Sequence, residues 1–316
     1  MTRKIGIIGT GHVGGAVAEG AIFQGLADDY VLIDSNPEKL DSEVLDLIEA
    51  QPNLKHHANI ISNDWDALDD ADVIISALGN IGLQKNATGG NARFIEAEYN
   101  AKQLKSVAAK LKATKFNGVL VVITNPNDVI VTLYQKLTGF PKEKVIGTGT
   151  LLDTVRMKNA VGETFDVDPR SVQGYNLGEH GNSQFTAWST VKILDESIEP
   201  VAAEKGIDLN QIANISRDNG YRVLNGKGYT SYAIAASALR LTETILNDSH
   251  EELPVSTFRE GHEVALSYPA VIGRDGVLGH GHLHLTDEEE TKLTGSYDFV
   301  TERYHLLLEK IENDEL

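Results

Sequence analysis

Short apolar runs alternate with helix-spaced stretches through the first half of the chain. Lys4–Ile8, Tyr30–Ile33, Asp72–Ser76, Gly118–Ile123 and Lys144–Ile146 are rich in Val, Ile and Leu on both faces. Such strands belong inside a parallel sheet that helices cover on either side. His12–Gln24, Pro37–Glu49, Glu96–Leu111 and Asp128–Leu137 supply those helices, with charges opposite their apolar stripes. Strand–helix alternation of this kind predicts an α/β domain with a Rossmann doubly wound parallel sheet. From Thr150 the texture changes. Helical Leu151–Val161 precedes strand-like Val172–Tyr175 and Gln184–Val191, then long helical stretches at Asn210–Leu224 and Ser231–Leu246. Strand-like Val255–Phe258 and Tyr268–Gly273 lead to a closing helix over 287–311. This reads as an α+β second domain, with residues 1–148 and 149–316 as the expected units and the boundary at Gly147–Gly149.

The 316 residues carry 28 Lys plus Arg against 46 Asp plus Glu, a net charge of −18. That balance repels phosphate backbones and anionic lipid surfaces, so neither nucleic acid nor membrane is an expected partner. The chain has 0 Cys, which removes disulfides, thiolate nucleophiles and cysteine-ligated metals from consideration. No segment approaches the roughly 18 uninterrupted apolar residues of a membrane helix, and Ile5–Ile8 is too short for a signal-peptide core. A soluble, cytoplasmic protein is expected.

Gly9-Thr10-Gly11-His12-Val13-Gly14 follows the first strand and opens the first helix. On its own the G-x-G-x-x-G spacing is a weak signal. Here it has a strand before it, a helix after it, and Asp34 at the end of the second strand, 20 positions beyond Gly14. Gly9 permits the tight turn, Gly11 lets the backbone approach a pyrophosphate, and Gly14 allows close helix–strand packing. Asp34 can bind both ribose hydroxyls and would repel a 2′-phosphate, and Ser35 and Asn36 supply no cation to offset it. The expected cofactor is NAD. His12 reads as a tolerated polar residue within this cofactor loop.

Three further segments carry reactive side chains. Asp153 and Arg156 stand three apart on a helix and share a face, a spacing that also suits an ordinary surface ion pair. His180 lies between Gly178 and Gly181 in a strand-to-strand turn, within Gly178-Glu179-His180-Gly181-Asn182-Ser183. Thr124-Asn125-Pro126-Asn127 ends a central strand, where open α/β sheets bind ligands. His280, His282 and His284 alternate like ligands on one strand face, but no Asp, Glu or Cys completes the set, and no metal is expected. The residues alone lead to an NAD-binding, two-domain protein with a candidate His/Asp/Arg site.

Taken in order, the Gly-rich loop, the Asn125-Pro126 pair, Leu152-Asp153-Thr154-Val155-Arg156, Gly178–Ser183 and Lys227-Gly228-Tyr229-Thr230-Ser231 resemble the L-lactate/L-malate dehydrogenase family over essentially the whole chain. Tyr175-Asn176-Leu177 and the segment Ser267–Gly276 look most like its L-2-hydroxyisocaproate branch. The resemblance implies an NAD-dependent L-2-hydroxyacid dehydrogenase that exchanges a hydride between NAD and a small 2-hydroxy or 2-oxo acid. It implies His180 as acid/base, Asp153 holding its imidazole, and Arg156 clamping the substrate carboxylate through two parallel hydrogen bonds. Arg93 would polarise the substrate carbonyl, Asn125 would bond the reacting oxygen or the nicotinamide, and Thr230 would line the substrate pocket. A homotetramer, or a dimer, is the implied assembly.

Several alternatives carry different sequence requirements. A malate dehydrogenase needs a second cation in the loop over 81–92, which offers Lys85 and no Arg. An L-lactate dehydrogenase closes a shorter, Pro-containing loop over its small substrate, whereas this loop is longer and holds Gly82, Gly89 and Gly90, with Ile81, Leu83, Ala87 and Ile234 as apolar candidates for a wider pocket. NAD-dependent glycosidases of the same fold resemble enzymes with a Cys-ligated metal, and a non-catalytic NAD-binding protein has no need of the His180/Asp153/Arg156/Arg93 set. Lactate dehydrogenases activated by fructose 1,6-bisphosphate place Arg and His where this chain has Lys158 and Gln173, so no such activation is expected.

Overall fold

The computed structural model describes residues 2–80, 82–85 and 92–316, without the side chains of 84, 85 and 92–95. Its elements run β1 (Lys4–Ile8), α1 (His12–Gln24), β2 (Asp29–Ile33), α2 (Pro37–Ala50), β3 (Asn59–Ser62), β4 (Val73–Ser76), α3 (Gly82–Lys85), α4 (Ala92–Ala113), β5 (Val119–Val122), α5 (Asn127–Thr138) and β6 (Val145–Gly147). They continue through α6 (Leu151–Phe165), β7 (Val172–Gln173), β8 (Asn176–Leu177), β9 (Phe185–Thr186), β10 (Lys192–Ile193), β11 (Glu196–Ser197), α7 (Ile198–Lys205) and α8 (Leu209–Lys227). The last are α9 (Tyr232–Asn247), β12 (Glu251–Thr257), β13 (Leu266–Gly273), β14 (Gly276–His280) and α10 (Asp287–Glu312).

One nine-stranded sheet spans both halves of the chain, in the order β14-β13-β12-β6-β5-β4-β1-β2-β3. Its six strands from β6 to β3 are parallel, in the register Ile5↔Tyr30, Ile5↔Val73, Val73↔Val119 and Leu120↔Val145. Strand β12 joins this edge antiparallel through Ser256↔Gly147, and β13 and β14 extend it. The sheet therefore runs across Gly147–Gly149. The strand order reverses between β1 and β4, so the C-terminal ends of those two strands open the crevice in which doubly wound folds bind ligands.

Helix α1 buries Gly14, Val17, Ala18, Ala21 and Ile22, the one-sided spacing that its sequence predicts, and packs with α9 on one face of the sheet. Helices α4, α5 and α10 cover the other face. The expected polar face of α5 is absent. Its residues 127–134 are all buried, because α4 and α10 close over the side that the sheet leaves free. A third cluster joins α6 and α7 to the small sheet β11-β10-β7. The strand expected over 184–191 is instead the short β9 followed by a tight turn at Trp188–Thr190 before β10. Among the described residues no helix is long and apolar enough to cross a membrane.

Candidate active site

At the end of β1 the chain turns with Gly9 at φ +90°. A Cβ on Gly9 would meet the Ala77 carbonyl at 2.8 Å, and one on Gly14 would meet the Gly9 carbonyl at 1.7 Å. Both positions thus exclude any larger residue. Gly11 differs, because a Cβ there would touch nothing within 4 Å, so the turn faces open space at the start of α1. Gly11 is the N-cap and offers no side-chain cap to the helix's first N–H groups. Those donors and the positive end of the helix dipole suit a pyrophosphate. Asp34, at the tip of β2, accepts from Thr10 N at 2.8 Å and Thr10 Oγ1 at 3.0 Å through one oxygen, and from Asn36 N at 2.9 Å through the other. It stands half-buried beside the loop, as a ribose partner must. Val13 is half-buried in the first turn. His12 is exposed and stacks flat on Tyr229, with ring centroids 3.7 Å apart, joining the cofactor loop to the segment that carries Thr230.

Asn125 is exposed at the end of β5, and its carbonyl accepts from Asn100 Nδ2 of α4 at 2.7 Å. Beside it, Thr124 Oγ1 and Asn100 Oδ1 are buried with no hydrogen-bond partner among the described residues. Unpartnered polar atoms at a strand end, with the uncapped helix and Asp34 alongside, fit the amide and ribose chemistry of a nicotinamide dinucleotide.

Across the crevice, α6 projects Asp153 and Arg156 from adjacent turns, and β8 and β9 form the antiparallel pair whose connection carries His180. Asp153 Oδ2 lies 2.6 Å from His180 Nδ1, and Asp153 Oδ1 accepts from Arg156 Nη1 at 3.0 Å. The side chains of Asp153, Arg156 and His180 are 6%, 21% and 23% exposed, so the pairing is a buried carboxylate serving two groups that reach the crevice. The surface ion pair that the spacing alone allows is not what forms. Gly220 of α8 leaves room for the guanidinium: a Cβ there would stand 3.3 Å from Arg156 Cζ.

Electrostatics bind the set together. Burial by itself would push the His180 imidazole down, but Asp153, with help from Asp128, more than offsets it and raises His180 above the usual histidine value. Burial opposes ionisation of Asp153 too. His180 and Arg156 together still hold it below the ordinary carboxylate range. An imidazole held at Nδ1 by a charged carboxylate can exchange a proton at Nε2, and the neighbouring guanidinium can grip a carboxylate.

The turn around His180 is pinned from several sides. Gly178, at φ +90°, donates to the Ser267 carbonyl at 3.2 Å. Glu179 N donates to Ser296 Oγ at 2.7 Å, while Glu179 Oε2 accepts from Ser183 N at 3.0 Å. His180 N donates to Asp128 Oδ2 at 2.8 Å. The sequence reading gave no role to Asp128, Asn100 or Gly220, and quoted Thr124 and Tyr229 only as members of their motifs. Asp128 alone left a trace, as an acidic residue directly after the strand-end Asn-Pro-Asn.

The side chain of Arg93, on α4, lies outside the described residues, as does most of the loop over 81–92. Thr230 is half-buried just before α9 and close to the His12–Tyr229 stack. His280 ends β14 with Nε2 3.0 Å from Thr257 Oγ1, and no group of three metal-ligating side chains occurs among the described residues.

Similarity to known proteins extends over nearly the whole chain. Profiles described as lactate/malate dehydrogenase, NAD binding domain, and lactate/malate dehydrogenase, alpha/beta C-terminal domain, match residues 3–147 and 150–310. The L-lactate dehydrogenase of Priestia megaterium is 35% identical over 303 residues, covering 93% of both chains. L-lactate dehydrogenase 3 of Bacillus cereus is 34% identical over 308 residues, covering 95% of this chain and 96% of its own. The ligand-bound crystal structure of the minor L-lactate dehydrogenase from Enterococcus mundtii superposes with a TM-score of 0.90 at 31% identity, covering 96% of this chain and 98% of the other.

Proposed function

The chain belongs to the lactate/malate dehydrogenase family and is an NAD-dependent 2-hydroxyacid dehydrogenase, and we propose that it interconverts L-2-hydroxy monocarboxylic acids bearing medium or branched aliphatic side chains, such as L-2-hydroxyisocaproate, with their 2-oxo acids. The observation that carries the chemistry is the buried Asp153 shared between His180 and Arg156. Held by the Gly9–Gly14 turn and Asp34, NAD would supply the hydride chemistry. The protein's part is position and charge. His180, fixed at Nδ1, gives its Nε2 proton to the substrate oxygen in reduction and takes it back in oxidation. Asp153 sets the tautomer and stabilises the charged ring. Arg156 grips the substrate carboxylate through its planar fork.

In this reading Gly9, Gly11, Val13 and Gly14 form the pyrophosphate turn, with His12 at its edge, and Asp34 takes the ribose. Asn125 and Thr230 face the nicotinamide and substrate ends of the crevice. Arg93, assigned from family resemblance, polarises the substrate carbonyl.

The preference for larger side chains rests on the Gly-containing loop over 81–92, with Leu83 half-buried in α3 and Ile234 buried in α9. L-lactate is the second reading, because the relatives from Priestia megaterium and Bacillus cereus carry the name L-lactate dehydrogenase. At 34–35% identity a pocket can change its preferred side chain while keeping its chemistry. The proposal includes a cytoplasmic location and a homotetramer or dimer, to which Leu45 and Ile48 of α2 and Ile215, Tyr221 and Val223 of α8 would offer exposed apolar faces. The experiment is NADH consumption with 2-oxo acids of increasing size.

A further inference from the structure

A second buried carboxylate lies behind the His180–Asp153 pair. Asp128, in the first turn of α5, is 1% exposed. Its Oδ2 accepts the backbone N–H of His180 at 2.8 Å, and its Oδ1 accepts the hydroxyls of Ser256 at 2.6 Å and Ser267 at 3.4 Å. All three donors are neutral, and no Lys or Arg pairs with it among the described residues. A charged carboxylate in such a place is costly, whereas Asn could accept the same N–H and meet the same hydroxyls without that cost. Pinning the turn therefore does not require a charge. What the charge adds is its field at the imidazole, which favours the charged ring.

We propose that Asp128 is a positioning residue for the reaction: it fixes the turn that carries His180, and its negative charge keeps the ring protonated to higher pH than Asp153 alone would. The inference rests on the reading of His180 as acid/base. The groups facing the imidazole are Asp153 and Arg156 from α6 and Asp128 from α5. Those facing Asp128 are Glu179 and His180 from the turn and Tyr297 from α10. Asp128 and Asp153 favour the charged ring and Arg156 opposes it. Burial pushes the Asp128 carboxyl up to about 6, so at neutral pH it remains mostly ionised.

Reduction uses protonated His180, so kcat/KM falls as pH rises through the histidine's pKa, and that limb reports the ring directly. The test is the pH profile of NADH oxidation with 2-oxoisocaproate and with pyruvate. In Asp128→Asn the limb moves toward acid by about one pH unit, the order of shift that loss of one nearby unit charge gives, while KM for NADH is unchanged. In Ser256→Ala the carboxylate loses its shorter hydroxyl donor and ionises less, so the limb moves the same way by a smaller amount. The Ser256→Ala result decides the matter if Asp128→Asn does not fold. A limb that stays in place in the folded variants overturns the role of Asp128 and leaves His180 standing. A wild-type profile without the limb, or full activity in His180→Asn, overturns the reading of His180 and this inference with it.

Discussion

Asp153 Oδ2 and His180 Nδ1 stand 2.6 Å apart, the carboxylate on α6 and the imidazole on the connection between β8 and β9, 27 residues apart in the chain. Replacing the carboxylate by its amide should expose what this contact does. In Asp153→Asn the amide donates to Nδ1 and leaves the ring proton on Nε2, the wrong tautomer for taking a proton from a 2-hydroxy acid. By analogy with the carboxylate of a Ser-His-Asp triad, kcat for oxidation should fall by roughly two to four orders of magnitude. KM for the acid should rise too, since Arg156 keeps an acceptor at Oδ1 but loses the charge that holds it in place. Steady-state kinetics in the oxidation direction check both, and near-normal kcat would remove Asp153 from the mechanism.

Arg156→Lys tests the clamp. The guanidinium commits Nη1 to Asp153 and makes no other hydrogen bond among the described residues, which leaves donors for a carboxylate. Lys keeps the charge and loses the fork. Transition-state binding should weaken by about 2–5 kcal/mol, or roughly 30- to 4,000-fold in kcat/KM. NADH affinity, measured by fluorescence titration, should be unchanged. Retained kcat/KM would mean that the substrate carboxylate lies elsewhere.

Sugar-bisphosphate activation should be absent. Lys158 is partly buried, and burial with Arg240 nearby lowers its pKa. Gln173 is exposed, and its Nε2 donates to Asp195 Oδ1 at 3.3 Å. An incoming phosphate would meet a neutral amide backed by a carboxylate. Millimolar fructose 1,6-bisphosphate should therefore leave KM for the 2-oxo acid unchanged, and a clear fall in KM would contradict this.

The cofactor half of the site was legible because its signal is local. A strand, three glycines and Asp34 lie within one βαβ unit, and their spacing follows from backbone sterics. Residues 12–24 and 4–8 are read to the residue for the same reason. The catalytic half is assembled from three separate stretches, and no period in the sequence joins Asp153 to His180. Family resemblance joined them, and the 2.6 Å contact gives the physical reason. Asp128 and Gly220 escaped notice because each acts through an element distant in sequence, the His180 turn and Arg156 respectively. Strand β3 escaped too, since Asn59–Ser62 is a short, partly exposed edge strand without a strong apolar run. The continuity of the sheet through β12 depends on the pairing Ser256↔Gly147, which no local pattern announces.

Substrate size is the central claim, and a panel of 2-oxo acids tests it most directly. The loop over 81–92 has no Pro and holds Gly82, Gly89 and Gly90; Ile81 and Ala87 lie outside the described residues. Each buried methylene contributes about 0.8 kcal/mol, so a branched C5 or C6 acid should exceed pyruvate by about one to three orders of magnitude. Oxaloacetate brings a second carboxylate with only Lys85 in that loop to meet it, and leaving that charge unpaired on burial is costly. Steady-state kcat/KM for NADH oxidation is predicted to be highest with 2-oxoisocaproate or a similar acid, weak with pyruvate and weakest with oxaloacetate. Pyruvate at the top would make the protein an L-lactate dehydrogenase, and oxaloacetate at the top a malate dehydrogenase; either result would contradict the account.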